Sequence, residues 1–574
     1  MSKDHAAQYK IRKEAFVSNL SGSSLTEINL VTLVAASAVF LWTALQARHS
    51  LFTPYTPVAL VADFLLNVCA ILFAITLYSS SPLALTIFLI TPGVVLLLLA
   101  KPPDGRAWKS KKPTGAQPGP RSAARVAIAA PTQPGSKRPA LVVRPFLTHY
   151  RGSMLVVTCL AILAVDFPIF PRRYAKVETW GTSLMDLGVG SFVFSAGVVS
   201  ARAVVRAESD DHHASHPQSQ SPSQSGHARK NNNNFAARFV KALRHSVPLF
   251  ILGLIRLYSV KGLDYAEHVS EYGVHWNFFF TLALLPPFVE ISDTATRRVF
   301  KSSEVFALVL TTMYELVLDN TRLLSYILIS PRGPDLLSKN REGVFSFAGY
   351  LAIFLCGRGV GVPLVRLNLQ RIQKEQQQQH QHRSEMEIGA ESTRRERISV
   401  LRDLILRAVA YAALYALSTN LYTFNLSVSR RLANLPYVLW VVAFNTAQLS
   451  LFGLVEAVGP AFSYTPPTLP DEDARQQDKK AAESENDGQR QDESAAARTP
   501  TPTQKAATST ILRAFNSNGL VTFLVANLLT GLVNLTFNTL DMPPARAMVL
   551  LIGYAVAVTG VALGLDMSGV KIKL

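Results

Sequence analysis

Apolar and polar residues follow one another along this chain in long blocks. Thirteen apolar segments can be marked, near residues 28–46, 57–78, 82–100, 153–170, 184–201, 246–260, 276–291, 304–328, 344–364, 403–420, 435–457, 518–540 and 547–567. Most are about as long as an α-helix must be to cross the ~30 Å hydrocarbon core of a bilayer. Segment 246–260 is short and holds Arg256, and segment 276–291 is broken by Pro286-Pro287. Dyad alternation is absent, which excludes a transmembrane β-barrel. The pattern predicts an all-α polytopic membrane protein, one bundle of about thirteen helices over residues 28–567.

Four long polar stretches, 101–140, 206–234, 365–400 and 459–510, follow segments three, five, nine and eleven, so parity places all of them on one face. They are rich in Pro/Gly/Lys, in His/Ser/Gln, in Gln/His and in acidic residues respectively. Such compositions bury too little apolar surface to offset the entropy of ordering, and predict disorder. Lys and Arg number nine in 101–140, seven in 202–245 and eight in 365–402. The loops after even-numbered segments hold three (171–183), one (261–275), three (331–343), two (421–434) and one (541–546). The positive-inside rule then makes the odd face cytosolic.

The even face is lumenal or extracellular by the same rule. The tail 1–27 belongs to it, although it carries four basic residues, and the tail 568–574 is cytosolic. The N-terminal tail is long and lacks a small-residue cleavage pattern, so segment one is expected to be a retained anchor. Asn19-Leu-Ser and Asn425-Leu-Ser are glycosylation acceptors available on the even face, whereas Asn534-Leu-Thr lies inside a segment.

Composition agrees with this division. The 574 residues are 49 % hydrophobic and 17 % charged, with a mean hydropathy of +0.20, too apolar for a soluble protein of several domains. The net charge of +18 is distributed as membrane topology requires, so no nucleic-acid partner is expected. Cys69, Cys159 and Cys356 lie in three different segments and read as small hydrophobes.

Chemistry concentrates in the short even-face loops. Asp166 lies within the fourth segment, near its exit, and ionisable groups at such depth face a cavity or a partner. Arg172, Arg173 and Lys176 follow, with Glu178 and Asp186 behind them. Pro168 and Pro171 prevent one straight helix, so the chain can fold back and bring Lys176 near Asp166. An ion pair that merely locks two helices is the bland alternative. The loop 261–275 and the entrance of segment seven carry His268, Glu271, His275, Trp276 and Asn277, either polar substrate contacts or a structural interface. The HExxH arrangement is absent and no metal is expected. Arg341 and Arg430 stand at helix entrances where directed donors could meet an anionic head group; arginines that anchor bulk lipid phosphate look the same. Asn527, Asn534 and Asn538 along segment twelve read as interhelical glue or a cavity wall. A multi-span transporter or flippase would also display intramembrane charges and a Pro-broken helix, but the two halves show no inverted repeat.

Several blocks together resemble the fungal GPI-anchored wall transfer protein family, the counterparts of animal phosphatidylinositol glycan class W. They are KEAFVSNLSGSSLTEINLV (13–31), VDFPIFPRRYAKVETWGTSLMDLGVGSFVFS (165–195), DYAEHVSEYGVHWNFFFTLALLP (264–286), NREGVFSFAGYLAIFLCG (340–357), RRLANLPYVLWVVAFN (430–445) and NGLVTFLVANLLTGLVNL (518–535). The four polar loops fall outside this core. The resemblance implies an endoplasmic-reticulum acyltransferase of about thirteen spans. It would transfer a fatty acyl group, typically palmitoyl, from acyl-CoA to the inositol 2-hydroxyl of glucosaminyl-phosphatidylinositol. Acyl-CoA would be a co-substrate and no cofactor is expected. The partners are these two substrates and membrane lipid, and no obligate protein partner is inferred. The family's proposed catalytic pair maps onto Asp166 and Lys176. Around it, the substrate-contacting candidates are Arg172, Arg173, His268, His275, Trp276, Asn277, Arg341 and Arg430.

Overall fold

The computed structural model describes residues 8–9, 11–13, 15–16, 18–99, 144–214, 235–261, 269–379, 386–421, 425–458 and 507–570. Outside them lie His268, the expected loops 101–140 and 459–510 in all but a few residues, 215–234 and the last residues 571–574.

Every apolar segment is helical. The helices are α1 (Leu25–His49), α2 (Pro57–Ile75), α3 (Pro82–Leu99), α4 (Pro145–Ala164), α5 (Leu187–Ala214), α6 (Phe235–Lys261), α7 (Phe278–Phe300), α8 (Ser303–Asn320), α9 (Arg341–Gln379), α10 (Met386–Asn420), α11 (Leu435–Val458), α12 (Gly519–Thr536) and α13 (Pro544–Met567). Among the described residues, ten are long and apolar enough to cross a membrane; α6, α8 and α10 are not. α6 carries Arg238, Lys241, Arg244 and Arg256, and α8 carries Glu304, Glu315 and Asp319. No strand occurs among the described residues.

The ends of these helices are written in the sequence. Ser24 caps α1, its side chain accepting from the Glu27 amide at 3.2 Å, which with Glu27 gives the Ser-x-x-Glu spacing of a capping box. Thr56 caps α2 and Pro57 follows at its first position, where a missing N–H costs nothing. Asn277 caps α7, accepting from the Phe279 amide at 3.0 Å.

Two expectations are corrected here. Pro286-Pro287 does not break segment seven: α7 runs through both prolines to Phe300, ending in one π-turn over Thr296–Phe300. Proline is tolerated in a membrane helix when neighbours and local adjustments re-satisfy the freed carbonyls. The stretch 365–400 is helical over its described residues, because α9 continues to Gln379 and α10 begins at Met386. Gln, Glu, Lys and Arg propagate a helix well once an apolar span has nucleated it.

α5 and α9 cross closely. Gly197 lies against the Phe354 carbonyl and Gly357 against the Phe194 carbonyl, while a Cβ on Gly361 would sit 2.5 Å from the Val198 carbonyl. Small residues four apart let membrane helices approach backbone to backbone. A short helix, Thr510–Ser517, precedes α12 and buries Ile511, Leu512 and Phe515. Its cap, Ser509, donates to the buried Asp63 carboxylate of α2 at 2.7 Å, and the Ser509 amide donates to His149 Nε2 at 3.2 Å.

Candidate functional site

The loops following even-numbered helices meet one another and the N-terminal segment. The Ser23 amide donates to the Thr182 carbonyl at 2.7 Å and the Gly181 amide to the Val428 carbonyl at 2.9 Å. The Val274 amide donates to the Lys339 carbonyl at 2.9 Å. Arg12 pairs with Asp541 at 2.7 Å across the α12–α13 loop. The parity inferred from loop lengths thus reappears as a shared surface, built over the exits of α4, α6, α8, α10 and α12.

At the exit of α4 sits Asp166, buried, two residues past the helix end at Ala164. Asn534 of α12 donates to its Oδ2 at 2.7 Å. Lys13 of the N-terminal segment stands 3.9 Å from its Oδ1 and donates to Asn534 Oδ1 at 2.7 Å. Burial pushes the Asp166 carboxyl above its ordinary range, against the opposing pull of Lys13, the Asn534 hydrogen bond and Arg172. Arg172 donates to the Val165, Phe167 and Phe170 carbonyls at 2.8, 3.2 and 2.9 Å, with its guanidinium 3.8 Å above the Phe16 ring. It therefore holds together the turn that follows α4. Arg173 pairs with Glu27 at 2.5 Å and donates to the Ser79 carbonyl at 3.2 Å.

Lys176 is not paired with Asp166. Its Nζ lies 2.8 Å from Glu271, so the direct carboxylate–ammonium contact expected from the fold-back is replaced by two separate pairs. The reason is chain direction. The 3-10 turn Arg172–Tyr174 and the extended Ala175 that ends it carry Lys176 to the loop before α7, while Asp166 is met by a cation arriving from the other end of the protein. Lys176 is 39 % exposed, the more open of the two groups.

Glu271 links Lys176 to Arg430, at 3.4 Å, and Arg430 Nε lies 2.7 Å from the fully buried Asp186. Asp186 also accepts from Ser183 Oγ at 2.7 Å and the Val177 amide at 3.3 Å, and its carbonyl accepts from the Tyr437 hydroxyl at 2.8 Å. Burial works against the Arg430 charge, but Glu271 and Asp186 outweigh it and hold the guanidinium well above its usual pKa. Removing either partner of such a pair leaves an uncompensated buried charge, which is strongly destabilising.

The remaining candidates shape the loop before α7. The His275 and Trp276 amides donate to Asn340 Oδ1 at 2.8 and 2.9 Å. Trp276 Nε1 donates to Thr281 at 3.0 Å while its ring covers Gly343. Asn277 Nδ2 donates to the Gly253 carbonyl at 2.9 Å. Gly273, at φ 111°, allows the loop to turn against Asn340, where a Cβ would sit 2.6 Å from its Cα. Arg341 donates to the Ser330 carbonyl at 2.6 Å and lies 3.9 Å from Glu342.

Arg430 therefore joins Lys176, and Arg341 stands one cluster away, whereas Arg172, Trp276 and Asn277 hold the protein to itself. Sequence reading gave Lys13 no role and left Asn534 as interhelical glue or a cavity wall. The signal for Lys13 was its position at the head of the 13–31 block. Asn534 faced a buried acid that only the tertiary fold could supply.

Residues 9–565 match the GWT1 family. The chain is 49 % identical over 568 residues to GPI-anchored wall transfer protein 1 of Aspergillus fumigatus, covering 98 % of this chain and 99 % of the relative. The protein of the same name from Yarrowia lipolytica is 38 % identical over 571 residues, covering 98 % and 99 %. That of Candida albicans is 36 % identical over 575 residues, covering 99 % and 100 %. This chain belongs to the GWT1 family, the family of the GPI-anchored wall transfer proteins.

Proposed function

We propose that this protein is a GPI inositol acyltransferase of the endoplasmic-reticulum membrane. It moves a fatty acyl group, palmitoyl in our reading, from acyl-CoA to the inositol 2-hydroxyl of glucosaminyl-phosphatidylinositol, an early step of GPI-anchor synthesis. The even-face surface faces the lumen and the C-terminus the cytosol. The observation that carries this reading is family membership over residues 9–565, a span that includes the Asp166 block, the Lys13 segment that meets it and Asn534.

A secondary alcohol is a weak nucleophile and needs a base within hydrogen-bond reach. Asp166 is that base: burial makes it more basic than an exposed carboxylate, and Lys13 and Asn534 oppose that rise. The inositol oxygen attacks the thioester carbon as its proton passes to Asp166. The carbon–sulfur bond breaks, and the leaving thiolate takes the proton back from the carboxyl. Lys176, the more exposed cation of the neighbouring cluster, offsets the charge that develops on the thioester oxygen. Direct attack needs no acyl-enzyme, in keeping with the structural use of Ser183 as a donor to Asp186.

The test uses purified full-length protein in detergent, with acyl-CoA and glucosaminyl-phosphatidylinositol. Formation of the inositol-acylated lipid is expected, and a transporter could not produce it without compartments. Asp166→Asn should abolish product while leaving the melting profile in place. Full turnover by that variant would remove Asp166 from the mechanism.

A further inference from the structure

Between α8 and α9 a buried carboxylate lies among arginines whose donors it does not fully engage. The Glu342 carboxylate, fully buried, has Arg332 at 2.6 Å, Arg431 at 3.0 Å and Arg341 at 3.9 Å. Three guanidiniums thus share one carboxylate. Asp335 of the same loop is engaged elsewhere, accepting from the Ser338 amide at 2.8 Å. Arg341 is 3 % exposed, yet its Nε and Nη1 donate no hydrogen bond, and neither does the buried Nε of Arg431. Buried donors on a cation are expensive to leave without acceptors. Arg341 also opens α9, where the free amides and dipole of a helix start favour an anion.

The surroundings narrow the ligand. Ile329, Leu336 and Leu337, in the loop that carries Arg332, are exposed apolar side chains. Cationic donors beside an exposed apolar rim suit an anion attached to a hydrocarbon chain better than a free ion.

We propose that Arg332, Arg341 and Arg431 form the binding subsite for the phosphodiester of a phospholipid, with Glu342 as the fixed counter-charge that aligns them. This deepens the acyl-transfer reading and rests on it in one respect: the lipid so held is the acceptor. Its phosphate is anchored at α9 while the attached inositol is presented to the Asp166 base. The three residues are positioning groups and take no part in the chemistry.

The experiment titrates full-length protein in detergent with dioctanoyl phosphatidylinositol, dioctanoylglycerol and inorganic phosphate, following binding and melting temperature. Phosphatidylinositol should bind saturably and dioctanoylglycerol should not. Arg341→Gln and Arg431→Gln should each weaken binding about tenfold or more, as loss of a charge-assisted contact does. In acylation assays the arginine variants should raise KM for the lipid with kcat little changed. Binding by folded arginine variants equal to wild type, or inorganic phosphate binding as tightly as the lipid, would each overturn the subsite. Arginine-dependent lipid binding in a protein with no acyltransferase activity would leave the subsite standing and remove the reaction. Arg431→Gln keeps the test open should Arg341→Gln fail to fold.

Discussion

Asp166 owes its chemistry to neighbours from three parts of the chain. Burial raises its pKa, and Lys13, Asn534 and Arg172 pull it back. Lys13→Gln removes one opposing charge, so the folded carboxyl pKa should rise further. Less of the base is then ionised at a given acidic pH, and the acid limb of the kcat/KM profile should move to higher pH. A limb that stays where the wild type has it would mean Lys13 does not reach the carboxylate in the working protein. Asp166→Asn should cost at least about a hundredfold in kcat, the usual weight of a general base. Lys176→Arg should be severely impaired, because a planar fork does not replace a compact ammonium. Asp166, Lys176 and Arg430 were legible in the sequence because charge at a membrane boundary stands out against apolar surroundings. Their partners were not. Lys13 is one basic residue among several in a polar tail, and Lys176 was assigned to the nearer acid in sequence when Glu271 lay closer in space.

At the scale of elements, the apolar blocks located every long helix because the bilayer length requirement is coarse and most blocks meet it alone. Their ends were less legible. α9 continues past its apolar run through residues of good helix propensity, α5 continues to Ala214 through Ser, Asp and His that carry no such signal, and the eight-residue helix Thr510–Ser517 is too short for any span-length criterion to register. Its tether, the buried pairing of Ser509 with Asp63, joins positions 446 residues apart. The crossing of α5 and α9 is the element contact most sensitive to added volume. Gly357→Leu should force the helices apart at Phe194 and destabilise the fold by about 1–3 kcal/mol, as overpacking does, lowering the melting temperature in detergent. The same substitution at Gly560 of α13, where a Cβ meets nothing within 4 Å, should be tolerated.

Across the whole molecule, loop parity anticipated which connections share a face, and the contacts among residues 12, 23, 176, 181, 271, 274, 428, 430 and 541 bear that grouping out. Which compartment each face meets is testable with thiol reagents, since Cys69, Cys159 and Cys356 are all buried. Ser427→Cys lies on the even face and Ser568→Cys on the other, and both positions are exposed. In sealed right-side-out endoplasmic-reticulum vesicles, an impermeant maleimide should label Ser568→Cys at once and Ser427→Cys only after permeabilisation. The reverse order would invert the assigned orientation while leaving the grouping intact.

Lys13 and Asn534 are separated by 521 residues, yet they join in one hydrogen bond beside Asp166. During synthesis the early cation must wait for α12 before the acid between them in sequence acquires both companions. A ribosome-bound chain that has not yet released α12 therefore lacks the finished Asp166 cluster, however well its first eleven helices have inserted. Crowding the amino terminus with a rigid fusion would be felt beside Asp166 itself, which makes the start of the chain a poor place for an affinity tag.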